Sequence, residues 1–130
     1  MQIYLDYSAT TPPRPEVIAA MESAMQSSWG NPSSLHSWGS RAATVMETAR
    51  MQVAELIGAS ADAISFTAGG TEANNLAIMG VAQQYRKPRH IIISAVEHSA
   101  VAKPAALLEK WGWDLTRLPV NDYGQGNPAD

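Results

Sequence analysis

The chain has 130 residues, of which 45% are hydrophobic and 16% are charged, and its formal net charge is −3. This length fits one ordinary domain at most, or part of a larger one, and the composition excludes a disordered chain. The charge gives no reason to expect nucleic-acid binding, and no apolar stretch approaches the roughly 18 residues of a membrane span.

The N-terminal part of the chain, residues 1–60, is predicted to be a segment with two helices. It does not open with the basic and apolar regions of a secretory signal, so a cytoplasmic location is expected. After the strand-like "QIYL", Pro15 suits the first position of a helix. A longer amphipathic helix follows, because apolar residues from Ala42 to Leu56 recur at spacings of three and four, and Gly58 ends it.

Residues 61–130 are predicted to alternate strands and helices. "AISFT", "RHIIISA" and "DLTRLPV" have the apolar character of buried strands, and the last two flank a helix with Pro104 in its first turn. Such alternation implies parallel pairing with right-handed crossovers, hence an α/β fold with a mainly parallel sheet and flanking helices.

This predicted sheet is thin, since three strands leave edges and an apolar face uncovered. The ending "GQGNPAD" also places Pro128 where a further helix would start. We therefore expect the chain to be the front part of a longer protein, with residues 61–130 forming the incomplete first part of an α/β domain.

The stretch "AGGTEANN" lies at a predicted strand-to-helix turn. Free main-chain N–H groups and the helix dipole favour an anion at such a helix start, and Gly69 and Gly70 would let a phosphate approach the backbone. The hydroxyl of Thr71 could add a hydrogen bond. The alternative is a tight turn in which Thr71 acts only as the helix N-cap, and the local pattern leaves both open.

Among the three histidines, His98 is the candidate for chemistry. It follows a predicted strand, and ligands of parallel sheets bind beyond the carboxyl ends of the strands, so Thr71 and His98 are expected to face one crevice. There an imidazole could stack on a flat ring or move a proton, unless His98 is only a locally bonded loop residue. His36 and His90 are interpreted as structural residues. The three histidines are spread along the sequence, so no metal site is predicted.

The polar loop "GNPSS" is a second candidate for ligand contact, through Asn31. The alternative is that Ser33 or Ser34 caps the helix that follows, and the residues themselves do not separate these two interpretations.

Four motifs occur together in one order: "YLDYSATTP", "GNPSSLHSWG", "FTAGGTEANNLAI" and "IIISAVEHSAV". With them the chain closely resembles the N-terminal part of the cysteine desulfurases of the NifS/IscS type, over nearly its whole length. These enzymes of the aminotransferase class V family depend on pyridoxal 5'-phosphate (PLP). The resemblance implies the large domain of the aspartate aminotransferase-like fold, fold type I.

The resemblance also implies roles for particular residues. Gly70 and Thr71 match the turn that binds the cofactor phosphate. His98 matches the histidine that stacks over the cofactor ring and takes part in acid–base chemistry, so it is the predicted catalytic residue. Asn31 belongs to the loop near the substrate.

The implied activity is the conversion of L-cysteine to L-alanine and an enzyme persulfide, which supplies sulfur for iron–sulfur cluster assembly. The implied partners are a second copy of the chain in a homodimer and a sulfur-acceptor or iron–sulfur scaffold protein. Neither nucleic acid nor a membrane is expected as a partner.

Two parts of the family's machinery are missing from these residues. The chain has no cysteine to carry a persulfide. Its lysines, Lys87, Lys103 and Lys110, do not match the one that holds the cofactor as a Schiff base. The chain alone is thus expected to be inactive. Two alternatives stay open: a non-catalytic partner completed by another chain, and a different class V PLP lyase such as a selenocysteine lyase.

Overall fold

The computed structural model describes residues 2–127, and the chain divides between Ser65 and Phe66 into two units. The first unit contains two α-helices, and the second contains two α-helices and two parallel strands. The domain division at residues 60 and 61 stays a prediction. None of the helices in the described part combines the length and the apolar character needed to cross a membrane.

The first unit is built from helices α1 (Pro15–Ser27) and α2 (Ser37–Leu56), followed by a short 3₁₀ helix, Ala61–Ala63. Both predicted helices are present, and Pro15 occupies the first turn of α1 as expected. The 3₁₀ helix packs against α2.

Helix α2 ends in the manner that its glycine predicts. Gly58 has the left-handed φ of 66°, and its N–H donates to the carbonyl of Glu55 at 3.2 Å. The N–H of Ala59 donates to the carbonyl of Ala54 at 2.9 Å. This pair of bonds is a Schellman motif, which satisfies carbonyls that a helix end would otherwise leave without a donor.

The prediction of a strand at "QIYL" is wrong. The hydroxyl of Tyr4 donates to the carbonyl of Asp6 at 2.9 Å and to that of Thr10 at 3.3 Å. The N–H of Ala9 also donates to the carbonyl of Asp6, at 3.1 Å. Residues 2–5 pair with no strand in the part of the chain that the structure describes, and the Tyr4 side chain instead joins the turn that follows.

The second unit consists of α3 (Gly70–Gln83), β1 (His90–Ser94), α4 (Ser99–Lys110) and β2 (Asp114–Leu118). Strands β1 and β2 pair in parallel along their full lengths, and α4 connects them. This is the predicted α/β arrangement of parallel strands with flanking helices.

Helix α4 forms the centre of this unit, because it packs against α3 and both strands. Leu108 is only 1% exposed, and burying such a side chain contributes about 1.5–3 kcal/mol. The other buried apolar side chains of the unit are Ala82, Ile93, Ala100 and Ala105.

Strand β1 is buried on one face only, whereas a fully buried strand was predicted. Ile93 is 7% exposed, but its neighbour Ile92 is 55% exposed. Successive side chains of a strand point to opposite faces, so the described elements cover one face of β1 and leave the other open.

The prediction of a strand at "AISFT" is also wrong. Ile64 has an extended backbone, with φ −96° and ψ 126°, but its carbonyl accepts a hydrogen bond from the guanidinium of Arg50. Within the described residues the sheet has β1 and β2 as its strands. An apolar extended segment becomes a strand only where a neighbouring strand pairs with it.

Pro104 was predicted to lie in the first turn of its helix, but it lies inside α4. The helix begins five residues earlier, at Ser99, because the side chain of His98 caps it there. Proline lacks the N–H that would donate to the carbonyl of Ala100, so the helical ladder of α4 lacks one bond at this position.

Candidate functional site

The start of α3 offers main-chain donors that the helix itself does not use. Gly69 is the N-cap and supplies no side-chain cap, and the first helical bond runs from Ala73 N–H to the Gly69 carbonyl at 3.1 Å. The N–H groups of Gly70, Thr71 and Glu72 therefore lie before the helical ladder. Together with the helix dipole they favour an anion. Thr71 is not the N-cap, so that alternative is wrong.

Two hydrogen bonds hold the turn before α3 in shape. The hydroxyl of Thr67 donates to the carbonyl of Gly69 at 3.2 Å. The carboxylate of Glu72 accepts from the N–H of Ala68 at 2.7 Å, one residue before the N-cap N–H that the acidic residue of a capping box uses. The carboxylate is thus drawn back toward residue 68, and the donors at the helix start are held in place.

The two glycines of this turn are not required by the chain's own packing. Gly69 has an extended φ of 164°, which any residue adopts, and a Cβ built on Gly69 or Gly70 would meet no atom within 4 Å. Open space around both glycines would let an anion approach the backbone closely, and a phosphate fits these donors.

Thr71 lies near the first turn of α4, but the depression that they share is not lined by His98, so the predicted crevice of Thr71 with His98 stays a prediction. A depression of about 400 Å³ is lined by Thr71 and Asn75 of α3 and by residues of α4 that include Ser99, Ala100 and Lys103. A second depression of about 440 Å³, over the glycine turn, shares Thr71 and Asn75.

Asn75 and Lys103 were missed by the sequence analysis. Asn75 lies four residues after Thr71, on the same face of α3, and its amide donates to the Thr71 carbonyl at 2.8 Å. That spacing was a signal that could have found it. Lys103 is exposed, lies four residues after Ser99 and lines the same depression.

His98 is the N-cap of α4. Its Nδ1 accepts a hydrogen bond from the N–H of Ala100 at 3.0 Å, and the residue as a whole is exposed. It directly precedes Ser99, which lines the depression with Thr71. The local bonding that was the alternative interpretation is thus present, while the catalytic and ring-stacking roles of His98 stay predictions.

The other two histidines have structural partners. His36 caps α2 through Nδ1, which accepts from the N–H of Gly39 at 3.3 Å. The helix is therefore not capped by Ser33 or Ser34. Nε2 of His90 lies 2.7 Å from the hydroxyl of Thr116 on the neighbouring strand. A search of residues 2–127 finds no group of three or more His, Cys, Asp or Glu arranged to hold a metal.

Asn31 lies in the first unit, in a loop that its own side chain helps to shape. Its Oδ1 accepts from the N–H of Ser33 at 2.9 Å, and its carbonyl accepts from the N–H of Ser34 at 3.0 Å. This is an Asx turn, which occupies the oxygen of the side chain. A role of Asn31 in substrate binding stays a prediction.

The model of the class-V aminotransferase family matches residues 3–130. The chain belongs to this family. It is 50% identical over 130 residues to the cysteine desulfurase IscS of Dictyoglomus turgidum. The matched region covers 99% of this chain and 33% of that protein. The predicted resemblance to the NifS/IscS type is therefore confirmed.

Solved structures agree with this class-V assignment. A NifS-like protein superposes with a TM-score of 0.87 at 36% identity, over 92% of this chain and 33% of that one. The protein SspA, solved in complex with cysteine, gives a TM-score of 0.80 at 36% identity, over 88% of this chain and 33% of that one. The predicted fold class is confirmed, and the chain spans about a third of the length of the relatives it matches.

Proposed function

We propose that this chain is the N-terminal portion of a PLP-dependent cysteine desulfurase. The whole protein would convert L-cysteine to L-alanine and carry the sulfur as a persulfide on an enzyme cysteine, for iron–sulfur cluster assembly. The observation that supports the proposal is the start of α3, where main-chain N–H groups lie before the helical ladder and two glycines have open space around them, as binding of an anion would require. The 50% identity to a cysteine desulfurase supports the same activity.

The residues of this chain would bind and orient the cofactor. The N–H groups of Gly70 and Thr71 and the hydroxyl of Thr71 would hold the phosphate, whose negative charge the helix dipole favours. His98 would lie against the ring. When bound, PLP supplies an electron sink for the amino acid, and the protein supplies orientation and electrostatics.

The remaining parts of the proposal concern the whole protein. Asn31 would contact the substrate, L-cysteine. The lysine that holds the cofactor and the cysteine that carries the sulfur would come from outside these residues. We further propose a cytoplasmic homodimer that delivers sulfur to an acceptor or iron–sulfur scaffold protein.

The test is a titration of the whole protein with PLP, followed by absorbance, for the wild type and for Thr71→Ala. A hydrogen bond to a charged group contributes about 1.5–3 kcal/mol, so we expect affinity to fall roughly 10- to 150-fold. Thr44→Ala is the matched control, because the Thr44 hydroxyl donates only to the Ser40 carbonyl within α2, at 2.9 Å. Unchanged PLP affinity in Thr71→Ala would remove Thr71 from the phosphate site.

The activity is tested by supplying the PLP-loaded whole protein with L-cysteine or with L-selenocysteine. Alanine and transferable sulfur from L-cysteine are the expected products. Turnover of L-selenocysteine alone would replace the desulfurase by a selenocysteine lyase, and no turnover of either amino acid would leave a binding protein.

A further inference from the structure

The hydrogen bond that caps α4 has a consequence for the chemistry of His98. Nδ1 of this imidazole accepts the main-chain N–H of Ala100 at 3.0 Å. A nitrogen can accept such a bond only with its lone pair, hence only while it carries no proton. In a neutral imidazole the other nitrogen then carries the proton, so the capped ring is the Nε2–H tautomer.

Nε2 is the nitrogen left for other contacts. The residue is exposed, and within residues 2–127 no hydrogen-bond partner of Nε2 is found. The same first turn of α4 borders the depression that Thr71 lines. His98 itself does not line that depression, so its Nε2–H is offered to a ligand that reaches the exposed ring from the start of α4.

We propose that the main-chain N–H of Ala100 is a positioning group that holds His98 as a neutral hydrogen-bond donor at Nε2. The ligand it would meet is an acceptor, such as a carboxylate, thiolate or ring oxygen of the substrate or cofactor. The relevance to catalysis rests on the proposed function, but the tautomer itself does not. Similar use of a neutral imidazole at a helix start is known in enzyme catalysis.

This assignment changes how His98 can handle protons. The capped ring has no free lone pair, so it cannot take up a proton at Nε2. A proton can be bound only at Nδ1, where it displaces the bond from Ala100, because two N–H groups would then face each other. Proton uptake by His98 is thus coupled to release of the α4 cap, while the capped state only donates.

The packing around Ala100 fixes the position of the N–H group to which the His98 ring is bonded. Ala100 is 5% exposed, and α4 is held between α3 and the strands. The N–H of Ala100 belongs to the first turn and has no acceptor within the helix. Its bond to His98 is therefore not in competition with the helical ladder.

The experiment is NMR of the whole protein, labelled with ¹⁵N at histidine and alanine and measured without PLP in mildly alkaline solution. Residues 1–130 include three histidines, and the signals of each are assigned with a variant in which that histidine is replaced. Two quantities are read: the ¹⁵N shifts of each ring, which report the tautomer, and the scalar coupling across the hydrogen bond between the Ala100 amide nitrogen and Nδ1 of His98.

Two proline variants complete the design. Ala100→Pro removes the donor. Ser99→Pro is the matched control, because it keeps the Ala100 N–H and places proline at the first helical position, where it is tolerated. The preceding residue, His98, already has φ −59° and ψ 149°, which suit a residue before proline.

In the wild type and in Ser99→Pro we expect a scalar coupling between the Ala100 amide nitrogen and Nδ1 of His98. The ¹⁵N shifts of His98 should be those of an unprotonated Nδ1 and a protonated Nε2. In Ala100→Pro we expect loss of the coupling and a shift of both His98 nitrogens toward their tautomer average. The shifts of His36 and His90 should stay unchanged in all three proteins, which reports that the fold is intact.

The proposal is overturned if the folded wild type lacks the coupling or has the His98 proton on Nδ1. It is also overturned if folded Ala100→Pro keeps the wild-type His98 shifts. Should Ala100→Pro not fold, the wild-type coupling decides alone. Because PLP is left out, a failed PLP titration would remove the proposed function and leave this result standing.

Discussion

At the scale of single residues, His98 combines a structural task with a predicted chemical one. Its Nδ1 caps α4, the residue is exposed, and the next two residues, Ser99 and Ala100, line the depression that contains Thr71. A helix cap contributes about 0.5–2 kcal/mol to stability. Any substitution of His98 therefore mixes a loss of stability with a loss of chemistry, and two variants are needed to separate the two.

His98→Ala should lower the free energy of unfolding by about 1 kcal/mol, because it removes the cap, and should reduce the turnover of the whole enzyme. His98→Asn should restore most of the stability, since asparagine is a good N-cap, but not the turnover, since it has no aromatic ring. Urea unfolding and alanine production from L-cysteine measure the two effects. Near wild-type turnover in His98→Asn would show that the ring has no role.

At the scale of elements, the loop that carries Asn31 is held against the start of α2 by close backbone contact. A Cβ on Gly39 would lie 2.2 Å from the Ser34 carbonyl oxygen, and one on Gly30 would lie 2.4 Å from that of Trp38. The loop and the helix approach each other this closely because these two positions have no side chain. The Asx turn of Asn31 then sets the course of the loop.

Gly39→Ala should consequently destabilise the chain by about 1–3 kcal/mol, as overpacking of a filled site does. It should also shift the main-chain NMR signals of residues 31–34. Gly80→Ala is the matched control, since a Cβ there meets nothing within 4 Å. Alanine inside α3 should stabilise by up to about 1 kcal/mol. Equal stability of the two variants would contradict the close approach of the loop.

At the scale of the whole molecule, much apolar surface is open. In the second unit, Ile92 is 55% exposed on β1. A depression of about 770 Å³ between α3 and β1 is lined by Val81, Ile91 and Trp113 among others. Exposed apolar patches of this kind mark surfaces that associate with other protein.

A protein of these residues alone should accordingly self-associate as its concentration rises. Ile92→Thr, which keeps a β-branched side chain but adds a hydroxyl, should weaken the association. Leu56→Thr is a control at a still more exposed apolar site outside the sheet, at the end of α2. Light scattering over a concentration series measures the effect, and a monomer at every concentration would contradict it.

Much of the candidate site could be predicted from sequence because its signals are local. The glycine turn before α3 and the position of His98 after β1 follow from residues a few places apart. The role of His98 as a cap was overlooked because Ser, Thr, Asp and Asn are the caps that the sequence rules expect. Asn75 was overlooked although its spacing from Thr71 was readable.

By itself, the sequence determined the helices, the parallel α/β arrangement and the membership of the class-V aminotransferase family. Each helical hydrogen bond joins residues that are four apart, so a short stretch of sequence contains the pattern that predicts a helix. Only the tertiary structure decided that "AISFT" is not a strand among the described residues and that β1 is open on the side of Ile92. Pairing and burial depend on which distant segments cover a residue, and no local pattern contains that information.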